Sequence, residues 1–414
     1  MLRRAAGALL LPVLLAACGV QAASSNDFVL GLIVPLHGAG AARATEDLRG
    51  VQVAVDEANR LGGIHGRHVR LVTQDASTRE ATQPAVEALK AAGASVIMGT
   101  YSSEISIPAA HATAAAGLVY WEAGAVADQV TGEGLQHVFR VGASGANLGH
   151  GSAVFAAEQL APRLHKAVGD VHVTVVQEHD AYGDSVAGAM IAESRRRGAQ
   201  VAPTILYNAY HPDWPRVFDA VSANPTDILV LASYVPDGVA FRREMLARNL
   251  KVGALIGTTM AECGPEFGAL LGADAIGVFA SDRPTSGFNP AVLTSTARAA
   301  YDRLVTEYRR RFNATPAEES IAAFSAAWAL LREVAPAART LDTTGIDAAA
   351  EAADLADGAL PNGAGLHFSR SAGDLGQNLR ASSVIWQWQG VRRSVTVWPP
   401  VLATGSVALV PLPR

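Results

Sequence analysis

Cysteine is nearly absent: Cys18 and Cys263 are the only two in 414 residues. A disulfide framework and a zinc site of four thiolates are therefore excluded. Charge is sparse too, at 17% of residues, and 33 basic against 38 acidic side chains leave a formal net charge of −5. That sign does not suit a dedicated nucleic-acid binder, so no nucleic acid is expected as a partner. Beyond the N-terminus the one uncharged run that reaches the roughly 20 residues a membrane-spanning helix needs, 394–413, is interrupted by four prolines, so no membrane span is expected. The usual enzyme signatures are missing as well, with no GxxxxGK, GxSxG, HExxH or paired CxxC. Gly38 and Gly40 lack the third glycine and the later acidic partner of a dinucleotide fingerprint, and no cofactor is expected. His65 with His68, and His172 with His179 and Asp180, are too loosely spaced to predict a metal site.

What the sequence does contain begins with an export signal. Arg3 and Arg4 precede a short apolar stretch from Ala5 to Ala17, with small residues at the end, so 1–22 read as a signal peptide. Two cleavage points fit. Leu15-Ala16-Ala17-Cys18 has the form of a lipobox that would lipidate Cys18, and Val20-Gln21-Ala22 fits ordinary small-x-small processing. The mature protein is expected outside the cytoplasm, either free or tethered through Cys18.

With half of its residues hydrophobic, the chain is long enough for two domains, each with a substantial core. Short apolar runs alternate with amphipathic helical stretches. Val29–Pro35 reads as a strand covered on both faces, and Leu48, Val51, Val55 and Ala58 follow at helical spacing before Gly62-Gly63. Ser77-x-x-Glu80 has the pattern of a capping box. Strands are expected at His68–Asp75, Ser95–Thr100 and Leu118–Ala123. After the glycine-rich passage 142–151 the rhythm restarts, with strands at Val171–Glu178, Val201–Tyr207, Ile228–Tyr234, Ala254–Thr258 and Ile276–Ser281. Such alternation predicts an α/β chain of two Rossmann-like lobes.

Open parallel sheets bind ligands beyond the carboxyl ends of their strands, which selects the loops to inspect. Ser102 and Ser103 sit where a strand turns into a helix, and there hydroxyls and free N–H groups either cradle a carboxylate or simply cap the helix. Tyr101, Tyr182 and Tyr234 stand at strand ends, to stack on a ligand or to pack at its rim. Glu122 is a carboxylate at a strand end, suited to recognising an ammonium, to acting as a base, or to facing solvent. No matched nucleophile accompanies it, which favours recognition over catalysis.

In order and spacing, several segments resemble the type I periplasmic binding proteins of the leucine/isoleucine/valine-binding class. They are Leu32-Ile33-Val34-Pro35-Leu36, Val55-Asp56-Glu57-Ala58-Asn59, Gly62-Gly63-Ile64-x-Gly66-Arg67, Gly99-Thr100-Tyr101-Ser102-Ser103, Val138-Phe139-Arg140, Asp180-Ala181-Tyr182-Gly183 and Val384-Ile385-Trp386-Gln387-Trp388. The resemblance covers nearly all of the mature chain. It implies two lobes joined by three crossings, lobe 1 from 27–145 with about 284–358 and lobe 2 from 146–283 with about 359–414. A ligand cleft lies between them and closes by a hinge. It also implies a monomer that passes a small-molecule ligand to the permease of an ABC importer, without catalysis.

Site residues follow from the same resemblance. Ser102 or Ser103 matches the carboxylate-binding serine, Gly124 and Ala125 the ligand-holding loop, Tyr182 and Tyr234 the closing aromatics, and Thr259 the place of an ammonium-binding glutamate. Three positions depart from the pattern: Val126 replaces a threonine, Thr259 replaces that glutamate unless Glu262 serves, and Arg43 replaces a common tyrosine. Arg43 is expected to favour an anionic or amide-like ligand over a zwitterion, since a guanidinium forks onto carboxylates. The remaining alternatives are a sensor that uses the same closure without transport, and an enzyme using Glu122.

Overall fold

The strand Phe28–Val34 (β1) is buried at all seven positions, the mark of a strand covered on both faces. It organises the first half of the chain in the computed structural model, which describes residues 26–38, 40–258, 264–284 and 287–413. The helix Ala41–Arg60 (α1) follows, then Val69–Asp75 (β2), the helix Thr82–Ala91 (α2), Val96–Gly99 (β3), the helix Ser103–Ala115 (α3), Val119–Glu122 (β4) and Val138–Arg140 (β5). These strands are parallel, in the order β2-β1-β3-β4-β5. The order reverses at β1, so the chain leaves the ends of β1 and β3 on opposite sides and opens a crevice between them.

The second sheet repeats the plan. His172–Glu178 (β6), Gln200–Val201 (β7), Ile205–Tyr207 (β8), Ile228–Ala232 (β9), Ala254–Thr258 (β10) and Phe279–Asp282 (β11) run parallel, and Val384–Gly390 (β12) and Arg393–Trp398 (β13) close one edge antiparallel. Its order, β13-β12-β11-β10-β9-β6-β7, reverses between β6 and β9. The loops after those two strands, carrying Tyr182 and Tyr234, therefore lie at the second crevice.

The helices Ser295–Phe312 and Glu318–Trp328 return to the first sheet. Gly50 permits this, because a Cβ there would meet the Ser320 carbonyl oxygen at 2.3 Å and the Phe324 nitrogen at 3.0 Å. Trp121 fixes the same layer: its Nε1–H donates to the Ala326 carbonyl at 2.9 Å, and its ring lies 5.8 Å from Phe139 and 5.4 Å from Phe368. Full burial of side chains of this size stabilises by about 1.5–3 kcal/mol each.

Three expectations need correction. Val201–Tyr207 is not one strand but two short ones, since Pro203 between them has no N–H to give a ladder. The Ser77–Glu80 box does not form. Ser77 donates instead to Asp75 at 2.7 Å and accepts from the His37 N–H, and the chain enters α2 through a 3-10 turn begun at Thr78. The tail also crosses to the second sheet later than about 359. Leu360, Leu366 and Phe368 are buried in the core under the first sheet, Gln377 bridges to Arg140 in β5, and pairing with the second sheet begins at Val384.

Candidate functional site

The loops after β1, β3 and β4 and those after β6 and β9 come together in one buried region. Gly40 opens α1 and lets the Tyr101 ring lie against it, with a Cβ position only 3.3 Å from the ring. Tyr182 is fully buried, its ring 5.4 Å from that of Tyr234. Both pack with the apolar core of the first sheet although they descend from the second. The Tyr182 hydroxyl bonds to the Thr258 hydroxyl and lies 3.4 Å from the Ser233 carbonyl, and the Tyr234 hydroxyl donates to Asp180. Burial, then the negative charge of Asp180, keeps the Tyr234 hydroxyl protonated. The aromatic wall is thus locked by polar tips on its own lobe.

On the opposite wall, Ser102 is the residue that precedes α3, without a side-chain cap bond, and Ser103 is buried. The Ser103 hydroxyl accepts the Ala127 N–H at 3.1 Å and so holds the loop that carries Gly124 and Ala125. A Cβ on Gly124 would meet the Thr100 carbonyl oxygen at 2.6 Å, which explains glycine at this close approach.

Glu122 differs from the expected ligand contact. One carboxylate oxygen accepts the N–H groups of Gly124 at 2.6 Å and Ala125 at 2.8 Å. The other accepts the Thr100 N–H at 3.1 Å, the Tyr120 hydroxyl at 2.9 Å and the Ser106 hydroxyl. Five donors fill the roughly four acceptor sites of a carboxylate, so no capacity is left for an ammonium or for base chemistry. Glu122 braces the turn that presents Gly124 and Ala125.

Arg43 also departs from expectation. Its guanidinium pairs with Glu319 at 3.0 Å and with Glu266, whose helix Pro265–Leu271 stands on the second-sheet side. The fork is occupied and bridges the lobes, so it is not free to receive a ligand carboxylate. Thr259, Glu262, Cys263 and Cys18 lie outside the described residues.

Sequence reasoning gave no role to four participants, although the loop Asp282-Arg283 stands among the strand-end loops it selects. Arg283, at the end of β11, donates to the Gly124 carbonyl at 2.6 Å and pairs with Glu318 at 2.6 Å through Nε. Glu318 and Glu319 open the helix packed on α1, and Asp47 lies one turn beyond Arg43 on α1. The i, i+4 spacing of Arg43 and Asp47 behind a strand end was a signal that a helical-face reading could have found. Burial raises the Asp47 carboxyl well above the ordinary range, with Glu319 adding to the effect and Arg283 opposing it. Burial raises Glu318 as well, against the pull of Arg283.

Among the described residues no group of three or more His, Cys, Asp or Glu is placed to hold a metal, and no helix is long and apolar enough to cross a membrane.

Two doubly wound lobes that meet on a shared polar and aromatic region define a two-lobed α/β architecture. The chain belongs to the periplasmic binding protein family, whose model matches residues 28–385. It is 30% identical over 383 residues to Leu/Ile/Val-binding protein homolog 8 of Brucella abortus, covering 92% of each chain. To homolog 7 of Brucella suis it is 27% identical, covering 94% of this chain and 95% of that one. Among solved structures, the leucine-binding protein LivK of Thermotoga maritima superposes with a TM-score of 0.74 at 18% identity, over 90% of this chain and 98% of that one. A solute-binding protein of R. palustris in complex with benzoate gives 0.71 at 18%, over 92% and 99%. The protein is therefore a solute-binding member of this family, and its relatives are binding proteins rather than enzymes.

Proposed function

We propose that the protein is exported, captures a small polar solute between its lobes by hinge closure, and delivers it to the permease of an ABC importer. The observation that carries this reading is the buried meeting of strand-end loops from both sheets, with Tyr182 and Tyr234 of one lobe packed onto the core of the other. The ligand contacts in this reading come from Tyr101, Ser102, Ser103, Gly124 and Ala125 on one side and Tyr182 and Tyr234 on the other. Thr259 is a further candidate on that second side. Selectivity then rests on hydrogen bonds that only the right solute satisfies in a water-poor cleft. The names of the Brucella relatives and the leucine-binding neighbour support an amino-acid-like solute. Lipidation of Cys18 would keep the protein at the membrane beside its permease.

A thermal-shift screen of refolded protein against amino acids, amides, aromatic acids and small dicarboxylates tests the reading. A solute at a hundred times its Kd adds about 2.7 kcal/mol of stability. A rise in Tm with one chemical class is expected, and no shift with any class would count against solute capture.

A further inference from the structure

Asp47 has no hydrogen-bond partner among the described residues. It is 3% exposed, and neither carboxylate oxygen makes a hydrogen bond. One of them lies 3.3 Å from the position a Cβ on Gly124 would take, which sets Asp47 against the loop at the centre of the cleft. A buried carboxylate without hydrogen bonds is costly, and native proteins keep one where something else supplies the partner.

The surrounding charges do not supply it. Five buried carboxylates, Asp47, Glu122, Asp282, Glu318 and Glu319, share this region with two buried guanidiniums, Arg43 and Arg283, and Glu122 is already held by the donors of its own turn. Arg43 is taken by Glu319 and Glu266. Arg283 is taken by Glu318, Asp282 and the Gly124 carbonyl. The cleft is left with an excess of acid, and burial, with Glu319 adding to it and Arg283 opposing, drives Asp47 toward its protonated form when nothing else is bound. A zwitterion would leave that excess in place, and an anion would deepen it. A ligand of net positive charge removes it.

We propose that Asp47 holds a cationic nitrogen of the ligand, an ammonium, amidinium or guanidinium, and that the cleft selects solutes of net positive charge. This rests on the solute capture proposed above.

The test is isothermal titration of refolded mature protein with arginine, putrescine, leucine and benzoate, repeated on Asp47→Asn. Arginine or putrescine is expected to bind more tightly than leucine or benzoate, and Asp47→Asn to weaken that binding at least about tenfold. The ligand-free Tm of the variant should equal or exceed the parent's, because an unpaired buried acid has been replaced by a neutral amide. A merely structural Asp47 would lower it. Preference for leucine or benzoate, or unchanged cation affinity in Asp47→Asn, overturns the proposal and leaves solute capture standing. Failure of all four probes, with no solute co-purified in a native mass spectrum of protein that has not been refolded, overturns both.

Discussion

Arg283 reaches from the end of β11 to the carbonyl oxygen of Gly124, and the 2.6 Å bond ties the second sheet to the turn that follows β4. Its Nε and Nη2 engage Glu318 at 2.6 and 3.1 Å, so one side chain joins three segments that are remote in sequence.

Arg283→Met should cost about 3–5 kcal/mol, the penalty for leaving one member of a buried ion pair without its partner. Arg283→Lys should recover only part of the loss, because a single ammonium cannot span both the carbonyl and Glu318. Denaturant unfolding of the three proteins gives the ranking. Equal midpoints for the methionine variant and the parent would show that Arg283 carries no stability.

Glu122→Gln should destabilise by about 2–3 kcal/mol. The Tyr120 and Ser106 hydroxyls can turn to accept from an amide, but the N–H groups of Thr100, Gly124 and Ala125 cannot, so either amide orientation faces a donor with a donor. A fall in the unfolding midpoint is the expected result. An unchanged midpoint would mean that the turn does not depend on this carboxylate.

Ser102→Ala with Ser103→Ala should weaken solute binding at least about tenfold, or about 1.4 kcal/mol. Ser103 contributes through the loop it holds as well as through any direct contact. Titration with the solute found by thermal shift decides it, and unchanged affinity would remove both serines from the site.

Acid stability should depend on Glu193. Hydrogen bonds from Arg196, reinforced by Arg197 and the nearby His150, outweigh burial and hold this carboxyl down at about 2. A carboxyl whose folded value lies below its unfolded value of about 4.5 stabilises fully above that pH. The contribution is lost as the pH falls from about 4.5 toward 2. Melting curves across that window should decline more steeply for the parent than for Glu193→Gln, and parallel curves would contradict the assignment.

Strand positions and both crevices were legible because β1, β9 and β10 are nearly continuous apolar runs closed by polar loops. Tyr182 and Tyr234 drew attention as the aromatics in the loops that follow β6 and β9. The roles of Glu122 and Arg43 were not, because a strand-end carboxylate and a cleft arginine look alike whether their partners belong to a ligand or to the chain. Arg43 finds Glu319 276 residues away, and no local pattern announces a pairing of that range. Asp47 was hidden by its place on a helix whose apolar face dominates the sequence signal.

The order in which the polypeptide is made bears on β11. Its neighbour β12 comes from the far end of the chain, after an intervening segment whose helices Ser295–Phe312 and Glu318–Trp328 return to the other lobe. A growing chain, synthesised from its N-terminus, therefore presents β11 as an unpaired edge until its last strands have been delivered. The tryptophan-bearing hairpin of β12 and β13 acts as a clasp fastened last. The second lobe cannot finish before the ribosome has nearly released its product, and until then it offers chaperones a row of free backbone groups to guard.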